Sequence, residues 1–128
     1  MLNREKGIVV DIDGTLCPVK ADGQQYSDLI PSAEVVQRLR EYREAGFYII
    51  LFTSRQMRTF DGNIGLIMAQ TAPTTIEWLK RHSVPYDEIH FGKPWPGCEG
   101  FYVDDRAIRP SEFLKHTYEQ IQEIIAHE

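Results

Sequence analysis

Four short apolar runs constrain this chain more than anything else in it, because each ends in residues able to do chemistry. Ile8-Val9-Val10 leads into Asp11, and Phe47 to Phe52 (FYIILF) ends at Thr53. Ile89-His90-Phe91 and Phe101-Tyr102-Val103 are shorter versions of the same pattern. Continuous apolar runs without alternation suit strands covered on both faces, as in a parallel sheet. Helical patterns stand between them. Ser32 is placed to cap a helix in which Val35, Leu39 and Tyr42 recur at spacings of four and three, and Gly46 stops it. Thr74 to His82 carries Ile76 and Leu79 on one face. After Pro110, Ser111 is placed to cap a terminal helix with Leu114, Tyr118, Ile121 and Ile125 in a stripe. The alternation predicts an α/β fold, a three-layer doubly wound parallel sheet. In such folds the ligand sits beyond the carboxyl ends of the strands, at a switch point.

The chain has 128 residues, 42% of them hydrophobic, and no linker-like, low-complexity or repeated stretch. One domain over 1–128 is the expectation, with a core large enough to do without disulfide or metal staples. Cys17 and Cys98 are the two cysteines, which rules out a disulfide framework; they are free thiols by default, with a redox link as the alternative. The formal net charge of −5 argues against a general nucleic-acid binder. No apolar run approaches the ~20 residues needed to span a bilayer, and Met1 to Lys6 does not read as a signal peptide. A cytoplasmic protein with no membrane partner is expected.

If the sheet is parallel, the four runs bring four segments to one edge. The first supplies Asp11-Ile12-Asp13-Gly14-Thr15, the second Thr53-Ser54-Arg55, the third Lys93 and the fourth Asp104-Asp105. Four carboxylates and one ammonium then carry −3 of the −5. Like charges at ~4 Å repel by about 4 kcal/mol at an effective dielectric near 20. A divalent cation relieves this, and carboxylates with waters beside a phosphate describe Mg²⁺. Cys17, Cys98 and His90 lack the tight spacing of a soft-metal site. Asp11 and Asp13, at i and i+2, share one side of an extended segment. One carboxylate can attack phosphorus, giving an aspartyl-phosphate; the other can protonate the leaving oxygen and then deprotonate water. Gly14 permits the sharp turn that brings backbone close to a phosphate. Thr53 and Lys93 would hold its nonbridging oxygens.

DxDGT at Asp11 to Thr15, hhhT at Thr53, Lys93, and hhhDD at Asp104-Asp105 resemble, in order and over nearly the whole chain, the haloacid dehalogenase superfamily of phosphohydrolases. The resemblance implies a Rossmann-like core. It makes Asp11 the nucleophile and Asp13 the general acid/base, and sets Asp104 with Asp11 and the Asp13 carbonyl around Mg²⁺. Asp105 is then a ligand or an outer carboxylate, and Gly14, Thr15, Ser54 and Arg55 bind the substrate. Thr15 to Pro31 has room for only a hairpin, with Asp22-Gly23 as its turn, and 39 residues separate Thr53 from Lys93. The chain thus reads as capless, with an open cleft completed by a large substrate or a neighbouring subunit of a homo-oligomer. The stretches FTSRQMRTFDGNIG and EWLKRHSVPYDEIHFGKPWPGCEGFYVDDRAIRP are similar to small bacterial phosphatases of capsule or surface-polysaccharide biosynthesis. That similarity implies a phosphorylated sugar as substrate.

Plainer readings stand beside these. Arg55 and Arg58 either grip a substrate anion or form surface ion pairs. Trp95 either stacks on a sugar or base or packs in a loop. Gln56 to Thr71 is long for a loop, which suits function. A nucleic-acid end phosphatase is the alternative enzyme, since an open cleft admits polymers, though no basic-aromatic patch supports it. A phospho-accepting receiver also gathers Asp, Thr and Lys at a sheet edge. There, however, the acidic pair precedes the acceptor and Lys comes last.

Overall fold

Three of the four apolar runs become strands. In the computed structural model, which describes residues 5–128, β1 spans Gly7–Val10, β2 Tyr48–Thr53 and β3 Glu88–Phe91. All pair in parallel, in the order β1-β2-β3. The register sets Val10 beside Leu51 and Thr53 beside Phe91, so the three strands end nearly level. Ile49, Leu51 and Thr53 of β2 are buried, whereas Tyr48, Ile50 and Phe52 between them are only partly covered. The α/β class with a parallel sheet flanked by helices is what the alternation of runs predicts.

Two compact units divide the chain, one up to Trp95 and the other from Pro96 to Glu128. In the first, α1 (Ala33–Glu44) packs on β2. The Ser32 hydroxyl caps it by accepting the Val35 N–H at 3.3 Å, and Val35, Val36, Leu39 and Tyr42 turn inward. Gly46 ends it at φ +96°, a left-handed conformation costly for a side chain. Between β2 and β3 lie α2 (Ile64–Gln70) and α3 (Ala72–Arg81). The expected long loop from Gln56 to Thr71 is therefore half helix: Asn63 caps α2 through the Leu66 N–H, a start signal that Gly65 masks in the sequence. Trp78 of α3 is fully buried and donates its indole N–H to the Leu29 carbonyl at 2.7 Å. This ties α3 to a 3-10 turn at Tyr26–Asp28. The hairpin expected around Asp22-Gly23 is only a turn, closed by Gln24 N–H to Ala21 C=O, with no strands beside it. Neither this segment nor the one between Thr53 and Lys93 builds a domain of its own.

In the second unit, the run Phe101-Tyr102-Val103 forms no strand. Phe101 and Val103 are 79% and 90% exposed. Three apolar residues between Gly100 and Asp104-Asp105 have no strand within their own unit to bond with, and a strand needs a partner for its backbone. The single terminal helix is also corrected, to α4 (Pro110–Lys115) and α5 (Tyr118–Ala126). Thr117 breaks the stripe by capping α5: its hydroxyl accepts the Gln120 N–H at 3.2 Å, and the Gln120 side chain takes the Thr117 N–H.

Candidate active site

The segment after β1 winds into a tight loop. The N–H groups of Thr15, Leu16 and Cys17 all converge on the Ile12 carbonyl, and Gly14 donates to the Cys17 carbonyl at 2.7 Å. Gly14 holds φ +91°, as the turn requires. Ile12, Leu16 and Cys17 are buried and anchor the loop, which leaves Asp11 and Asp13 partly exposed at its mouth.

Asp11 faces Lys93, whose Nζ lies 3.5 Å from Oδ1, while the Thr15 hydroxyl donates to Oδ2 at 3.2 Å. The Lys93 backbone is fixed by its own N–H bond to the Thr53 carbonyl, 3.1 Å, at the end of the sheet. Burial pushes the Asp11 carboxyl above its ordinary value, and neither the Lys93 charge nor the Thr15 bond fully offsets it. Asp11 therefore holds a negative charge at a cost to the fold.

Asp13 has different company. Arg55 donates to both of its oxygens, Nη2 to Oδ1 at 2.7 Å and Nε to Oδ2 at 3.1 Å. The Arg55 side chain has no exposed surface. Its Nη1 donates to Thr75 Oγ1 at 3.3 Å, and the guanidinium lies 4.1 Å from the Tyr26 ring centroid. Cys17 Sγ approaches Asp13 Oδ1 at 3.6 Å. Burial, then the negative charge of Asp13, pushes the Cys17 thiol up to about 12.

Of the residues singled out in the sequence, Asp11, Thr15 and Lys93 are brought together, as are Asp13 and Arg55. Thr53 is 1% exposed, and its Oγ1 accepts the Arg55 N–H at 3.0 Å. Ser54 follows it, half-buried. Arg55 touches a carboxylate, a hydroxyl and a ring, and Arg58 is exposed. Trp95 is 45% exposed. Asp104 and Asp105 are exposed in the second unit, where Asp104 Oδ1 accepts the Arg106 N–H. Cys17 and Cys98 are free thiols. Sequence reading missed Tyr26 and Thr75 as the partners that hold Arg55 against Asp13. The sequence carries part of the signal, since Asp13 and Arg55 follow adjacent, in-register strand ends; the burial of Arg55, which makes a carboxylate partner necessary, comes from the fold.

Among the described residues no three His, Cys, Asp or Glu side chains gather as a metal-holding group. In the first unit the Asp13 carboxylate is bound by a guanidinium and does not suit a ligand role. The Asp11 carboxylate does, because Mg²⁺ takes as few as one or two carboxylates along with waters and phosphate, and a cation there relieves the buried charge.

A cavity of about 210 Å³ adjoins the Arg55 cluster, sharing Tyr26 and Thr75 with it. Gln25, Ser27, Gln56 and Thr71 complete much of its wall, all polar and uncharged, and the Thr71 hydroxyl bonds the Gln56 side chain. No helix of the described residues is long and apolar enough to cross a membrane.

The chain matches no protein-family model and no curated protein. It is similar to a structural-genomics target from Vibrio cholerae known from its crystal structure. The two share 47% identity and a TM-score of 0.90, over 95% of this chain and 98% of the other. At that identity, across nearly the whole of both chains, the protein belongs to the same family as the Vibrio cholerae protein.

Proposed function

We propose that the protein is a Mg²⁺-dependent phosphomonoester hydrolase working through an aspartyl-phosphate. The observation that carries this is the Asp11 environment: a partly desolvated carboxylate at a strand end, held by Lys93 and Thr15, two positions from a second carboxylate fixed by Arg55. Desolvation makes a carboxylate a better nucleophile than it is in water. In the first step an Asp11 oxygen bonds to phosphorus while the bond from phosphorus to the leaving oxygen breaks, and that oxygen takes a proton from the Asp13 carboxyl. In the second, Asp13 takes a proton from water, whose oxygen attacks phosphorus and releases Asp11 and inorganic phosphate. Lys93 balances charge on the nonbridging oxygens. When bound, Mg²⁺ neutralises the phosphate and the Asp11 charge; Asp11 would hold it, and the sequence pattern alone adds Asp104 and Asp105.

A phosphorylated sugar, of the kind used in surface-polysaccharide biosynthesis, is the substrate class we favour. The sequence resemblance supports it. Free thiols at Cys17 and Cys98 support the cytoplasm as its compartment.

Phosphate release is measured across sugar phosphates, nucleotides and phospho-oligonucleotides, with and without Mg²⁺. Release should depend on the metal and be greatest for sugar phosphates. Asp11→Asn should lower it by at least about 10⁴-fold, since no nucleophile remains. Full activity in Asp11→Asn, or no release from any substrate by the unaltered protein, sinks the proposal.

A further inference from the structure

We infer that Arg55 is a positioning residue, which fixes the carboxylate that carries the proton. The inference rests on Asp13 having that role in the proposed reaction. An exposed arginine at a strand end would be free to meet a phosphate, but Arg55 is wholly covered and its groups are engaged on several sides. Nε and Nη2 form a fork on the two Asp13 oxygens, and Nη1 donates to Thr75 of α3. Thr75 Oγ1 is itself set by donating to the Thr71 carbonyl at 3.0 Å. The guanidinium face lies against Tyr26 at 4.1 Å, with Trp78 at 5.8 Å. Its backbone N–H bonds Thr53 Oγ1, so the residue is tied to the end of β2 as well.

The fork matters because a carboxylate gripped at both oxygens cannot rotate about its Cβ–Cγ bond, whereas one held at a single point can. Each carboxylate oxygen offers about two lone-pair sites. Arg55 takes one on each, and the Cys17 thiol approaches Oδ1. A site on Oδ2 remains where a proton can sit, so the grip and the proton transfer are compatible. Holding a proton donor in one orientation is worth much of the rate it contributes. A lysine in place of Arg55 keeps the positive charge but lacks the planar fork.

The discriminating measurement is kcat/KM, which reports the steps up to departure of the leaving group, for two probes. p-Nitrophenyl phosphate has a leaving oxygen that departs without a proton, whereas glycerol 2-phosphate needs one. For Arg55→Lys, kcat/KM on glycerol 2-phosphate should fall about 10–100-fold, a part of the ~10²–10⁴-fold that a general acid contributes, and by no more than about threefold on the aryl ester. Tyr26→Leu, which removes the ring but leaves the fork, should show the same selectivity to a smaller extent. It keeps the question answerable if Arg55→Lys folds poorly. Equal losses on both probes in the folded variant, or loss on neither, overturn the inference and leave the proposed reaction standing. An unaltered protein that releases phosphate from neither probe overturns both.

Discussion

Asp11 and Asp13 are separated by one residue on the same loop, yet their surroundings are opposed. Asp11 is partly buried against a single ammonium at 3.5 Å and one hydroxyl, and its carboxyl is raised by that burial. Asp13 is held by a two-point guanidinium grip whose cation has no exposed surface. One carboxylate is left costly to ionise, and the other is satisfied. Identical side chains two positions apart thus come to differ in surroundings through their partners alone. Asp11 should then serve chemistry at the expense of stability, while Asp13 should serve both.

The sharpest way to break this contrast is to neutralise each carboxylate without changing its shape. Asp13→Asn leaves the buried Arg55 charge with only an amide oxygen. Removing one partner of a buried pair typically costs 3–5 kcal/mol. Because Asp13 is 22% exposed and the amide still accepts one bond, about 2–4 kcal/mol is expected here. Urea unfolding should show a lower midpoint with an unchanged slope. A midpoint equal to that of the unaltered protein would mean that the grip contributes nothing to the fold.

Asp11→Asn should behave in the opposite sense. A carboxyl whose native pKa is raised binds its proton more tightly folded than unfolded. The stability it contributes is therefore fully present below its ordinary value of 3.8 and is lost as pH rises through the raised native value. At neutral pH the ionised Asp11 is a liability that the amide removes. In metal-free buffer with a chelator, Asp11→Asn should be at least as stable as the unaltered protein at pH 7. Its advantage should shrink as pH falls toward and below 3.8. A clear loss of stability at pH 7 would show that the Lys93 contact outweighs burial and would erase the contrast.

The two carboxylates were equally legible as letters, and nothing in DxDGT distinguishes their environments. The strands were legible because their runs are continuously apolar, although β2 in fact alternates buried with partly covered residues, and the Ser32 cap with Gly46 bounded α1 in the same way. Phe101-Tyr102-Val103 carries a similar apolar signal and forms no strand, because pairing is a property of neighbours and not of the run. For the site, strand ends located Asp11, Thr53 and Lys93 correctly at one edge. They could not show that Arg55 points inward to Asp13, since this depends on Tyr26 and Thr75, which lie on elements 29 and 20 residues away along the chain. A local pattern encodes which chemistry arrives at the edge; the packing of distant segments decides which group is held and which is exposed.

The smallest expected effect probes how closed the Asp13 side is. Cys17 lies 3.6 Å from Asp13 and is buried, and its thiol is pushed up to about 12, first by burial and then by the Asp13 charge. Alkylation requires the thiolate, so at pH 8 Cys17 should be inert in the folded protein while the exposed Cys98 reacts. Mass spectrometry after brief iodoacetamide treatment should find one added group per chain, and two only after unfolding in denaturant. Asp13→Asn removes the negative charge and loosens the packing around Arg55, so it should let Cys17 react slowly in the native state, whereas Asp11→Asn should not. Two groups added at native speed in the unaltered protein would mean that the loop opens readily, and a carboxylate on an opening loop is not held by any fork.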